Sequence, residues 1–149
     1  MKRLLGLLVL LWCSTIQAAD LNTQLVAAVV TGQARLAQDL IVQGADVNAT
    51  NVAGRPMIVL AAANGNRRTV QSLITSGADI NAVDKLGNAA LMEAAAFGYE
   101  DVVNLLIASG ADVNLVNAAG ASALKKATVA GQEKIQKMLT DAGAEDKSE

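Results

Sequence analysis

Residues 77–87 of the chain read GADINAVDKLG, and close copies of this stretch recur at a constant distance along the sequence. GADVNATNVAG starts at Gly44, GADVNLVNAAG starts at Gly110, and a shortened copy, GAED, starts at Gly143. The spacing is 33 residues each time, without an insertion. Self-similarity at one fixed period is the sequence signature of a repeat architecture. The chain is therefore expected to be an array of similar units stacked on one another.

Each period contains a second recurring glycine, at Gly32, Gly65, Gly98 and Gly131. This glycine separates an alanine-rich stretch, such as residues 94–96, from an amphipathic stretch, such as residues 102–107. Glycine adopts the left-handed backbone that ends a helix without a steric penalty, and alanine allows neighbouring helices to pack closely. Each unit is thus predicted to be a helix, a tight turn, a second helix and a loop.

These units resemble the ankyrin repeat. The resemblance is carried by the GAD-[VI]-N turns and by GYEDVVNLL at residues 98–106, and it covers about residues 20–143. It implies an all-α ankyrin-repeat solenoid of about four helix-turn-helix repeats with β-turn fingers. The repeats are placed at residues 20–43, 44–76, 77–109 and 110–142, in a domain that spans residues 19–143. Residues 144–149 are expected to form a disordered tail.

The composition excludes most enzyme chemistry. The 149 residues include no histidine and one cysteine, so the chain has no histidine base, no Ser-His or Cys-His pair and no Cys/His zinc site. The formal charge is −2, which gives no electrostatic footprint for nucleic acid or an anionic membrane. We therefore expect a protein that is not an enzyme and that has no cofactor and no metal.

Residues 1–18 have the pattern of a secretory signal peptide. Lys2-Arg3 is followed by the apolar run 4–12 and by small residues around Ala18. The apolar run is shorter than the roughly 20 helical residues that a bilayer requires, so a membrane anchor is the weaker interpretation. Cleavage is expected after Ala18, with cleavage one residue later as the alternative.

The mature chain suits an oxidising compartment. Cys13 follows Trp12, whereas a bacterial lipobox has a small residue there, so lipidation is not expected. Cleavage would remove this cysteine, the single one in the chain, together with Lys2 and Arg3. A chain without thiols cannot mispair during export. The expected localisation is the periplasm, with secretion as the alternative.

Recurring polar residues have structural interpretations. Local hydrogen bonds, rather than metal binding, are expected of the turn residues Asp46, Asp79, Asp112, Asn48, Asn81 and Asn114. One repeat position holds Arg35, Arg68, Asp101 and Lys134. Asp101 can lie between Arg68 and Lys134, which predicts an ion ladder between repeats. Lys125-Lys126 is interpreted as a solvated face.

The ankyrin resemblance implies recognition through the concave face, formed by finger tips and by exposed ends of the first helices. The candidate partner-binding residues there are Val52, Ala53, Arg55, Lys85, Leu86, Asn88, Phe97, Ala118 and Ala119. Apolar side chains at solvated positions indicate a protein partner, with no nucleic acid and, after cleavage, no membrane. We expect a monomer.

Resemblance to small exported bacterial ankyrin proteins implies an adaptor that stabilises or supports a periplasmic enzyme, for example in oxidative-stress defence. The alternatives are an immunity protein that neutralises a toxic hydrolase and a secreted effector that binds a host protein. These alternatives rest on analogy between folds.

The signal-peptide pattern makes a prediction about the mature protein. Because the apolar run is short and Trp12 disrupts the lipobox, the chain should appear in an osmotic-shock fraction with Ala19 as its first residue. N-terminal sequencing and mass spectrometry of that fraction test this. A lipid-modified Cys13, or an intact membrane-bound precursor at steady state, would contradict it.

Overall fold

The computed structural model describes residues 19–145, and the predicted signal peptide at residues 1–18 lies outside them. Within that range the chain forms helices in pairs, joined by three finger loops at residues 44–56, 77–89 and 110–122, with no β-strand longer than an isolated bridge. The helices are α1 (residues 19–30), α2 (Ala34–Val42), α3 (Met57–Ala63), α4 (Arg67–Thr75), α5 (Ala90–Phe97), α6 (Glu100–Ala108), α7 (Ala123–Val129) and α8 (Glu133–Asp141). The predicted all-α ankyrin-repeat solenoid is confirmed.

The inner helices α3, α5 and α7 stack side by side, with α5 in contact with both of the others. The first six residues of α3 are all buried, as are the first six of α5. A helix that is buried around its whole circumference must be packed on several sides. Ala61, Ala62, Ala94 and Ala95 are inaccessible to solvent in this stack, so the alanine-rich stretches form the close contacts between repeats.

The outer helices are amphipathic and pack with one face against the inner layer. In α4 the sequence RRTVQSLIT buries Thr69, Val70 and Leu73 and leaves its other side to solvent.

The turn between the layers needs glycine for two reasons. Gly65 has a φ of +68°, and a Cβ atom there would lie 2.8 Å from the ring of Tyr99 in the next repeat.

Hydrogen bonds join successive fingers in a regular ladder. The side chain of Asn48 accepts a hydrogen bond from the backbone N–H of Asp79 at 2.8 Å, and Asn81 accepts one from Asp112 at 2.9 Å. The turn aspartates bond locally, as expected; for example, Asp79 accepts the N–H of Asn81 at 3.0 Å. The expectation that the asparagines also bond locally is wrong, because their acceptor oxygens face the next finger.

Both ends of the described chain are tied into this ladder. Before the first finger, Asn22 in α1 supplies the acceptor for the backbone N–H of Asp46 at 2.8 Å. At the other end, Asn114 accepts the N–H of Glu145 at 2.9 Å. Ala144 is 8% exposed, so the tail predicted to start at residue 144 is corrected. Ala144 and Glu145 occupy the repeat positions of Ala45 and Asp46, and residues 146–149 lie outside the described range.

One buried polar atom stands out in the core. Thr69 is inaccessible to solvent, and within residues 19–145 its hydroxyl oxygen has no hydrogen-bond partner. The equivalent positions in the next two repeats hold Val102 and Ile135, both buried. The hydroxyl of Thr69 has therefore lost water without gaining a partner.

We predict that Thr69→Val stabilises the protein. Valine replaces the hydroxyl with a methyl group of similar size, which removes a desolvation penalty of about 1 kcal/mol and should raise Tm by roughly 4 °C. Thermal unfolding followed by circular dichroism measures this. Thr75→Val is the matched control, because Thr75 is exposed in the same helix and its hydroxyl donates to the carbonyl oxygen of Gln71 at 3.0 Å. A lower Tm for Thr69→Val would contradict the prediction.

Candidate protein-binding face

Three equivalent turns shape the finger tips. Asn51, Asp84 and Asn117 occupy one repeat position, and each side-chain oxygen accepts backbone N–H groups two and four residues further on, at 2.9–3.0 Å. These bonds hold each tip in one conformation. The second and third tips are also joined directly, because the N–H of Ala118 donates to the carbonyl oxygen of Leu86 at 2.9 Å.

Most of the candidate binding residues lie on the surface of the fingers and inner-helix ends. Val52 is fully exposed, Leu86 is 66% exposed and Phe97 is 58% exposed. The remaining exposed candidates are Ala53, Lys85, Ala118 and Ala119. Val129, at the end of α7, is 79% exposed and extends the same series. We call Val52, Leu86, Phe97 and Val129 the apolar strip.

The two aromatic residues of the described chain have different roles. The Tyr99 ring lies against Gly65 of the preceding repeat, whereas Phe97 remains largely exposed. The two ring centroids are 6.1 Å apart and the rings are tilted by 31°. Tyr99 therefore contributes to packing between repeats and supports one side of the exposed Phe97 ring.

The structure places two of the predicted contact residues differently. Asn88 is 7% exposed rather than presented to solvent. Its side chain accepts a hydrogen bond from Asn117 at 2.8 Å and donates one to Asp84 at 3.4 Å. Arg55 is half-buried and directed towards acidic groups. Asn88 is thus a structural link between fingers, because its amide pairs with neighbouring polar groups and not with solvent.

Glu93 forms the centre of a charge cluster that the sequence analysis missed. Its side chain is 8% exposed and lies on α5 between Arg55, at 3.5 Å, and Lys126 of α7, at 3.0 Å. Arg55 also lies 3.6 Å from Asp84. Two cations thus face two carboxylates across three successive repeats. A usable signal was present, since Glu93 and Lys126 are opposite charges exactly one period apart.

The pKa of Asp84 is governed mainly by its burial and by the hydrogen bonds of its own turn, with a smaller effect of Arg55. Burial by itself raises the pKa of the Asp84 carboxyl. The hydrogen bonds from the backbone N–H groups of Asn88 and Leu86, the side chain of Asn88 and the charge of Arg55 act in the other direction. Their combined effect is larger, so the pKa of Asp84 lies below its ordinary value.

The predicted ion ladder on the outer helices is wrong. Lys134 forms its ion pair with Glu100, and the Asp101 carboxylate instead accepts the backbone N–H of Val102 at 2.9 Å. Asp101 lies in the first turn of α6, where its side chain turns towards the helix backbone. The interpretation of Lys126 as a solvated residue is also corrected, because its side chain is 21% exposed and paired with Glu93.

Other kinds of site find no support within residues 19–145. That range contains no cluster of three or more His, Cys, Asp or Glu side chains arranged to hold a metal ion. None of its helices combines the length and apolar character needed to cross a membrane.

The comparison with protein families agrees with this architecture. A family model described as "Ankyrin repeats (3 copies)" matches residues 25–117 and residues 58–149. The chain belongs to the ankyrin-repeat family. No curated protein matches the chain significantly. Ankyrin repeats are protein-interaction modules, and a role in protein–protein interaction follows for this chain.

The lowered pKa of Asp84 predicts a pH-dependent contribution to stability. The carboxylate stabilises the fold above the pKa of the unfolded chain, about 3.9, and this contribution is lost as the pH falls through the lower folded pKa. Asp84→Asn should keep the turn, since Asn51 and Asn117 make it already. We expect the variant to lose less than about 1 kcal/mol at pH 7 and to show a weaker decline in stability below about pH 4.

Urea unfolding of both proteins at neutral and acidic pH measures the difference. If the free energy of unfolding changes with pH in the same way in the wild type and in Asp84→Asn, the lowered pKa of Asp84 is contradicted.

Proposed function

We propose that this protein is an exported, non-enzymatic adaptor that binds another exported protein through the concave face of repeats two to four. The observation that carries the proposal is the apolar strip, whose members Val52, Leu86, Phe97 and Val129 are all more than half exposed. An apolar patch exposed to solvent favours an interaction site, and exposed aromatic residues often anchor interfaces.

The rigidity of the fingers supports this proposal. Each tip is fixed by its own turn, and Ala118 and Leu86 are joined by a backbone hydrogen bond. A surface that is already ordered loses little conformational entropy on binding. The strip is thus suited to a partner that docks on a preformed surface.

The compartment and the effect on the partner are parts of the same proposal. Export rests on the signal-peptide pattern of residues 1–18, and the periplasm is the favoured compartment. Support of a periplasmic enzyme, for example in oxidative-stress defence, is the favoured role and rests on the likeness to small exported bacterial ankyrin proteins. Crosslinking in periplasm followed by mass spectrometry would identify the partner.

A double substitution in the strip tests the binding face. Leu86→Glu together with Phe97→Glu should abolish capture of the crosslinked partner, because both changes place carboxylates on an apolar contact surface. Both side chains are exposed, so the free energy of unfolding should change by no more than about 0.5 kcal/mol for each. Partner recovery and urea unfolding are measured on the same preparations.

Two controls separate binding from folding. Val42→Glu places a carboxylate at an apolar position on the outer helix α2 that is 82% exposed, and it should leave capture unchanged. Leu106→Glu should unfold the array, because it buries an unpaired carboxylate at a position with no solvent access. Full capture by the Leu86/Phe97 variant would reject the proposed face.

A further inference from the structure

A shallow depression lies between the inner helices α5 and α7, at the end of the apolar strip. It has a volume of about 370 Å³. Its lining is Ala96, Ala121, Val129, Ala130 and the side chains of Lys125 and Lys126. Ala96 is followed directly by the exposed Phe97, so the depression continues the strip. The side chains that line it are apolar, apart from those of the two lysines.

The two lysines are not equivalent. The ammonium group of Lys126 lies 3.0 Å from the Glu93 carboxylate, and the Lys126 side chain is 21% exposed. Its positive charge is therefore already balanced by Glu93. Lys125 is exposed, and within residues 19–145 it forms no ion pair. Glu93 is in turn shared with Arg55 and has little capacity left for a second lysine. The rim of the depression therefore carries positive charge that the described residues do not neutralise.

This positive rim is a local feature. The chain as a whole has a formal charge of −2, so its average field does not attract an acidic partner. An acidic group is favoured at the depression, because the ammonium group of Lys125 has no ion-pair partner within residues 19–145 and stands beside apolar side chains. A basic group in the same place would meet an unpaired lysine and be rejected.

We propose that the depression binds a linear segment of the partner protein in which an apolar side chain stands beside a carboxylate. The apolar side chain packs on Ala96, Ala121 and Val129, and the carboxylate pairs with the ammonium group of Lys125. This proposal rests on the proposed function, since it names the chemistry that the concave face recognises. It adds that recognition depends on the sign of one charge.

A charge-reversal selection tests the proposal. A library of random short peptides displayed on phage is selected against the full mature chain and against Lys125→Glu. The wild type should enrich peptides with Asp or Glu next to an apolar residue, and Lys125→Glu should enrich Lys or Arg at that place. The affinity of the best wild-type peptide, measured by fluorescence anisotropy, should fall about tenfold or more in Lys125→Glu.

The control is Lys137→Glu, which makes the same charge change on the outer helix α8. Lys137 is 76% exposed and pairs with Asp141 on its own helix, so this variant should select the same acidic peptides as the wild type. Circular dichroism confirms that each variant is folded.

Several results would overturn the proposal. These are enriched peptides without acidic residues, the same peptides from Lys125→Glu as from the wild type, and no enrichment at all. Dodecanoate, a fatty acid with one carboxylate and an apolar chain, is the probe for a lipid ligand. If the protein binds dodecanoate but enriches no peptide, the depression is a lipid site and the peptide-binding proposal is overturned. The two proposals fail separately. If the Leu86/Phe97 variant loses partner capture while Lys125→Glu selects unchanged peptides, only the peptide-binding proposal is rejected.

Discussion

The close approach of neighbouring inner helices is the contact on which the whole molecule depends. One helix pair cannot bury its own apolar face, so stability comes from the interfaces between repeats. Ala94 and Ala95 on α5 have no solvent access, because α3 and α7 cover them from both sides. Side chains this small allow a close spacing between neighbouring helices. That spacing also sets the distance between successive fingers.

The fingers use this spacing for a second set of bonds. With the repeats at a fixed separation, the amide of Asn48 reaches the backbone N–H of Asp79, and Asn81 reaches Asp112 in the same way. The inner helices and the fingers therefore constrain each other's register. Because the tips are held from both directions, the exposed side chain of Leu86 is carried by ordered backbone, and that of Phe97 is carried by the end of helix α5. Such a surface is already ordered before binding.

The sequence predicted the architecture well because its period is visible in the residues themselves. Glycines and alanines at 33-residue spacing indicate where helices end and where they pack closely. Contacts that do not follow the period were missed. Asn22, which lies in helix α1, accepts the backbone hydrogen bond that a finger asparagine accepts in later repeats. Arg55 contacts Glu93, which is 38 residues further along the chain. A periodic alignment shows which residues are equivalent, but it does not show which way an amide faces or which carboxylate a lysine reaches.

Glu93 occupies a position at which the fold does not require a charged side chain. Its equivalent in the preceding repeat is Leu60, which is 7% exposed and apolar. The fold therefore accepts a hydrocarbon side chain here, and a buried ion pair is rarely more stabilising than well-packed hydrocarbon. Stability alone gives no reason for a carboxylate at residue 93. Its structural effect is to hold Arg55 and Lys126 beside one carboxylate, so Lys126 is paired whereas the adjacent Lys125 forms no ion pair within residues 19–145.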